Sequence, residues 1–421
     1  VNDNKKYFIL MLRSLLKAII PALFVLVISS CVDPYTPELK GYESLLVVSG
    51  LITDEQVPYE VTLSRSFQRA DSVAQKVKDA MVLIADETGR ITYLRNLGNG
   101  TYVTDPEEFT GSTGKTYTLH ITTADGKEYI SAPARMLPVP DIESIYYEKD
   151  NDIGGANNKI SEGIRFYVNA PNGSGETQYV RWEYEETWKF RLNDYKRFNY
   201  FSDTSILPVG VIKEFCWKTR NSSDILIGSM TPGENSATND VPVCFVASAE
   251  SDRLTIEYSL LVKQYSLSGE AYEYLNNLKL VNEAGGTIFD KQPFPVISNI
   301  TNVNDPGEKV LGYFQVSSVR KERIFVTAGV VNELGLPFYH YDCTRYEAAP
   351  IDFHVPGSMT PLMTWDELYE MFTGEGNFAF IEPVYDPDTH ALIKLAFTES
   401  ECSDCELTGS VIKPDWWIDL D

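Results

Sequence analysis

The stretch Leu15–Cys31, LLKAIIPALFVLVISSC, constrains everything that follows it. Lys5, Lys6, Arg13 and Lys17 lie before an apolar run from Ala18 to Ile28, which ends in Ser29, Ser30 and Cys31. A positive segment, a short apolar segment and a small-residue cut site, in that order, make a secretory signal peptide over residues 1–30, with Met11 as its expected start. The run falls short of the ~20 apolar residues that a bilayer-spanning helix needs. Ile28, Ser29 and Ser30 before Cys31 resemble a lipobox, so Cys31 is the expected lipid-bearing residue and the chain's hold on the membrane. The folded part is then an exported body, formed where disulfides persist.

Behind Cys31, Val32–Lys40 carries two prolines and no periodicity, and reads as a tether over residues 31–40. From residue 41 the pattern becomes that of β-structure. Runs at 45–52, 59–64, 80–86, 91–94, 101–104, 117–121 and 127–131 alternate in polarity or are rich in β-branched residues, with Gly98, Gly100, Gly111, Gly114 and Asp125-Gly126 between them. Seven short strands with close turns predict an immunoglobulin-like or transthyretin-like sandwich over 41–140. Pro133, Pro138 and Pro140 mark its expected end.

Residues 141–421 are expected to form a larger β-rich domain with one or two short helices. In the longest expected strand, Tyr179–Phe190, the residues Val180, Trp182, Tyr184, Trp188 and Phe190 share one face. Glu186 is the single acid on that face, so it must be paired or sit at a bend. Ser268 caps an expected helix over 268–282, and Thr364 with Glu367 forms a capping box for a second. Asn193–Asp203 holds Tyr195, Phe198, Tyr200 and Phe201 without a clear period, and these four rings are the candidate interface.

The net charge of −24 excludes nucleic acid as a partner, because an acidic surface repels phosphates. No GxSxG elbow, Walker A loop, GxGxxG or HExxH is present, and His120, His340, His354 and His390 share no ligand spacing. The sequence therefore gives no catalytic residue, no metal site and no cofactor. Asn302–Glu308, NVNDPGE, imitates a calcium loop, but Pro306 and the late Gly307 spoil it and a turn is expected. With Cys31 reserved for lipid, Cys216, Cys244, Cys343, Cys402 and Cys405 leave one thiol over. Connectivity is not fixed by spacing. Pairing of Cys216 with Cys244, and of Cys343 with one of Cys402 and Cys405, is the preferred arrangement.

The segment Tyr258–Val326 resembles a family of Bacteroidota outer-membrane lipoproteins, those of the domain of unknown function 4249. Cys216-Trp217, Gln292-Pro293, Leu311-Gly312-Tyr313-Phe314 and the ending Cys402–Trp417 fit the same resemblance, as does the lipobox followed by its tether and LLVVSGLI. The resemblance implies a surface lipoprotein that assists a TonB-dependent receptor in nutrient uptake, with a small ligand, peptide or glycan as cargo. It also implies that Ser72, in Asp71-Ser72-Val73, is an O-glycosylation candidate. A surface hydrolase with dispersed acids and a structural adhesin are the alternatives.

Overall fold

Alternation of period two becomes strands wherever one face is buried. A computed structural model of the chain describes residues 44–66, 74–154, 159–170, 177–230, 239–283, 296–354 and 363–420. The expected signal peptide, Cys31, the expected tether and Ser72 lie outside them. All seven runs expected in the first part are strands: β1 Leu46–Ile52, β2 Glu60–Arg65, β4 Met81–Asp86, β5 Ile91–Tyr93, β7 Thr101–Val103, β8 Thr116–Thr122 and β9 Glu128–Ser131. Short pieces add β3 Gln75–Lys76, β6 Arg95–Asn96 and β10 Ala134–Arg135. Along β1, Leu46, Val48 and Ile52 are buried while Ser49 is exposed, as the alternation requires.

Further along the chain come β11 Ser144–Gly154, β12 Lys159–Asn169, β13 Tyr179–Arg191, β14 Phe198–Ser202 and β15 Ser205–Pro208. They are followed by β16 Phe215–Asn221, β17 Leu226–Ser229, β18 Val241–Ala247, β19 Glu257–Leu267, β20 Ile300–Asn302 and β21 Val310–Val316. The remaining strands are β22 Val319–Thr327, β23 Tyr346–Ala348, β24 Phe378–Tyr385 and β25 Leu392–Glu399. The fold is mainly β, in several sheets.

The first two sheets run β21-β1-β2-β7-β6 and β20-β9-β8-β4-β5. Leu46, Val48, Leu63, Tyr102 and Phe314 from one share a core with Ile84, Leu119, Ile121 and Tyr129 from the other. The sandwich expected over 41–140 thus takes a strand for each sheet from residues 300–316. The β1–β21 seam is parallel, with Gly312 opposite Val48. Gly312 has φ +89°, and a Cβ there would sit 1.8 Å from the Val48 carbonyl oxygen, so no side chain fits. Asn302–Glu308 is a turn between β20 and β21. The Asn302 side-chain oxygen accepts from the backbone of Asn304 and Asp305. Glu308 accepts from Lys127 at 2.9 Å and from the Tyr129 hydroxyl at 2.9 Å.

A second core lies between β11-β12-β18 and β16-β13-β19-β22. On β13, Val180, Trp182, Tyr184, Glu186, Trp188 and Phe190 are all buried on one face. The indole of Trp182 donates to Gln264 at 2.8 Å and that of Trp188 to Asp252 at 2.9 Å, so the two large rings leave no bare N–H. A third, smaller core joins β23-β25-β24 to the helix Trp365–Thr373 through Leu368, Phe380, Leu395 and Phe397. That helix has the expected reciprocal box: Glu367 N donates to Thr364 Oγ1, and Thr364 N to Glu367 Oε2 at 2.7 Å. The other expected helix is Gly269–Glu283, whose start is capped by Ser268 Oγ accepting from Ala271 N.

Candidate functional site

The four candidate rings do not act together. Asn193–Asp203, expected to have no clear period, runs into the hairpin β14–β15 of residues 198–208, whose alternation sorts the rings. Phe198 and Tyr200 pack inward against the third core. Tyr200 stacks on Tyr369 with centroids 4.5 Å apart and donates to Asp366 at 2.6 Å. Burial, and then the bond to Asp366, raise the Tyr200 hydroxyl above its ordinary pKa. Phe201 points the other way and is 65% exposed. Tyr195 lies between two guanidinium groups, 5.7 Å from Arg191 and 5.0 Å from Arg197. Of the four, Phe201 is the exposed ring, and the other three are partly buried.

A cleft of about 530 Å³ opens beside this hairpin. Asn199, next to the inward rings, lines it together with Lys196, Val209, Val211 and Lys213. The facing wall comes from Ser400, Ser403, Asp404 and Leu407, with Gly376 and Ala379 beside them. Lys196 N donates to the Ser403 carbonyl at 3.4 Å.

Two disulfides hold that wall. Cys343 bonds Cys402, and Cys216 bonds Cys405, each with Cα atoms 6.0 Å apart. The pairing of Cys343 with one of the terminal cysteines is as expected, but Cys216–Cys244 is not formed. Residues 405–410 lie alongside β16, where Trp217 and Ser410 exchange two backbone hydrogen bonds of 2.8 Å, so Cys405 reaches Cys216 first. Cys244 stays a buried free thiol on β18. The Cys402–Cys405 spacing therefore belongs to two separate bridges, and Ser403 and Asp404 are pinned between them.

Ser403 is only 4% exposed, and its hydroxyl has no hydrogen-bond partner among the described residues. Arg181 Nε and Trp217 Nε1 are also buried and unpaired among the described residues, but neither residue lines the cleft. Lys213 is engaged with Glu406. Asp404 accepts from the Glu406 backbone N–H at 3.0 Å. Nothing in the sequence singled out Ser403, Lys196 or Asn199, because each gains its meaning only from the two bridges and the hairpin.

The buried acid on β13 is paired, as its position required. Glu186 accepts from Arg220 at 2.8 Å, Arg253 at 2.8 Å and the Tyr258 hydroxyl at 3.0 Å. Cys244 lies 3.8 Å from Glu186. Burial, and then the Glu186 charge, push the Cys244 thiol up to about 12, so it stays protonated and is a poor nucleophile at neutral pH. At the chain's end, Trp417 is buried and donates to Glu257 at 3.1 Å, while Arg323 covers Trp416 at 3.4 Å from its ring centre. No group of three or more His, Cys, Asp or Glu side chains among the described residues is placed to hold a metal ion.

Residues 32–323 match the family described as "Domain of unknown function (DUF4249)". No curated protein matches the chain. Among solved structures, the cryo-EM reconstruction of native E. coli alpha-2-macroglobulin aligns with 85% of this chain at 10% identity and a TM-score of 0.15. The chain spans 17% of that protein, and a likeness of this degree carries no argument about fold or function.

Proposed function

The chain belongs to the family described as domain of unknown function 4249, and from that premise we propose a lipid-anchored binding module of the bacterial outer membrane. In this reading the body captures a small ligand in the cleft beside β14–β15 and hands it to a TonB-dependent receptor. Cys31 supplies the membrane hold, since acyl chains anchor a protein whose acidic body does not. No helix among the described residues is long and apolar enough to cross a membrane. The observation that carries the reading is the cleft itself. It is concave, has both apolar and polar lining, and has one wall fixed by two disulfides. Such a wall keeps its shape without a ligand, and preorganisation lowers the cost of binding.

The test uses the tagged full chain, isolated from its own membranes in mild detergent. A TonB-dependent receptor is expected to co-isolate. Phe201→Ala is expected to reduce that yield by roughly tenfold or more, as for an aromatic anchor at an interface. The melting temperature should barely move, because Phe201 is mostly exposed. Absence of any such receptor would favour the adhesin, and turnover of a glycan or peptide by the purified chain would favour the hydrolase.

A further inference from the structure

We infer that the cleft takes a monocarboxylate with a short apolar body, whose carboxylate lodges at Lys196 and Ser403. This deepens the proposed function and rests on the reading of the cleft as a ligand site. Buried hydroxyls are ordinarily hydrogen-bonded, and leaving one bare is unfavourable. Ser403 is nearly fully buried in the cleft wall and its hydroxyl has no partner among the described residues, so an acceptor supplied from outside would complete it. Lys196 lines the same cleft and is joined to Ser403 by their backbones. Its ammonium makes no ion pair among the described residues, although the chain carries 60 acids against 36 Lys and Arg. A hydrogen-bond donor and an unpaired cation on one cleft call for an anion.

The rest of the lining narrows the class. Val209, Val211, Ala379 and Leu407 are apolar, and Val211 remains 76% exposed, so an apolar body gains by covering them. Asp404 lines the cleft too, and a second negative charge on the ligand would be set against it. That disfavours phosphate and dicarboxylates and leaves a single carboxylate.

Isothermal titration of the purified chain with octanoate, octylammonium, 1-octanol and inorganic phosphate tests this. Octanoate is expected to bind saturably at one site. Octylammonium, 1-octanol and phosphate should bind at least roughly tenfold more weakly, as expected when a charge-assisted hydrogen bond is lost. Lys196→Gln and Ser403→Ala should each weaken octanoate by roughly tenfold. Ser403→Ala should keep or raise the melting temperature, because it deletes a hydroxyl that had no partner, so lost binding cannot be blamed on unfolding. The inference is overturned if octanoate does not bind, if octylammonium or phosphate binds as well, or if both substitutions leave octanoate binding unchanged. Any of these results leaves the co-isolation of a receptor, and its dependence on Phe201, to judge the wider reading separately.

Discussion

Glu186→Ala is expected to lower the unfolding free energy by about 3–5 kcal/mol, the range for removing one partner of a buried ion pair. Glu186 is 0% exposed, and its two arginines differ in what they can do without it. Arg220 is 57% exposed and can turn to water, whereas Arg253 is 13% exposed and would keep a buried charge with no counter-ion. The Tyr258 hydroxyl would lose its acceptor in the same step. Glu186→Gln keeps an acceptor for Tyr258 but not the charge, so its loss should be smaller than that of the alanine variant. Urea unfolding of the oxidised protein measures both. The Cys244 thiol offers a second readout. The Glu186 charge helps to hold it up, so its titration should move down in both variants, though burial will keep it above that of an exposed thiol.

Removing the Cys216–Cys405 bridge as a Ser/Ser pair is expected to cost about 2–5 kcal/mol. The bridge spans 189 residues and Cys343–Cys402 spans 59. Loop-closure entropy grows with the logarithm of that span, so losing the longer bridge should cost about 1 kcal/mol more than losing the shorter one. The larger consequence lies at the cleft. Residues 405–410 are held to β16 by this bridge and by the Trp217–Ser410 pair; Leu407 stands on that segment, and Ser403 and Asp404 come immediately before it. Octanoate binding should therefore fall sharply in the Ser/Ser variant although Lys196 and Ser403 are both present. Binding that survived loss of this bridge would show that the wall does not shape the site.

The strands were legible where one face is wet. β1, β8 and β13 follow the alternation in their residues, and Glu186 was visible as an acid that needed partners. The return of residues 300–316 to the first sandwich was not legible. A parallel pair such as β1–β21 has no turn between its strands to announce it, and its register is fixed by cross-sheet burial and by the glycine at 312. The hairpin β14–β15 was missed for a related reason. Phe198 and Tyr200 do alternate, but the core they pack on, including the Tyr200 partners Tyr369 and Phe380, lies far along the chain, so the local pattern was too short to distinguish from a loop. The cleft was invisible because it depends on disulfide pairing, which spacing does not determine.

The claim that this cleft is the ligand site is tested most directly by methyl NMR of the labelled chain during titration with octanoate. The expected result is a saturable set of shifts confined to the methyl groups of Val209, Val211, Ala379 and Leu407, lost in the Lys196→Gln variant. Shifts centred instead on other exposed apolar positions, such as Ile153 and Ile160 on the β11–β12 hairpin, would contradict it, as would a spectrum that does not change.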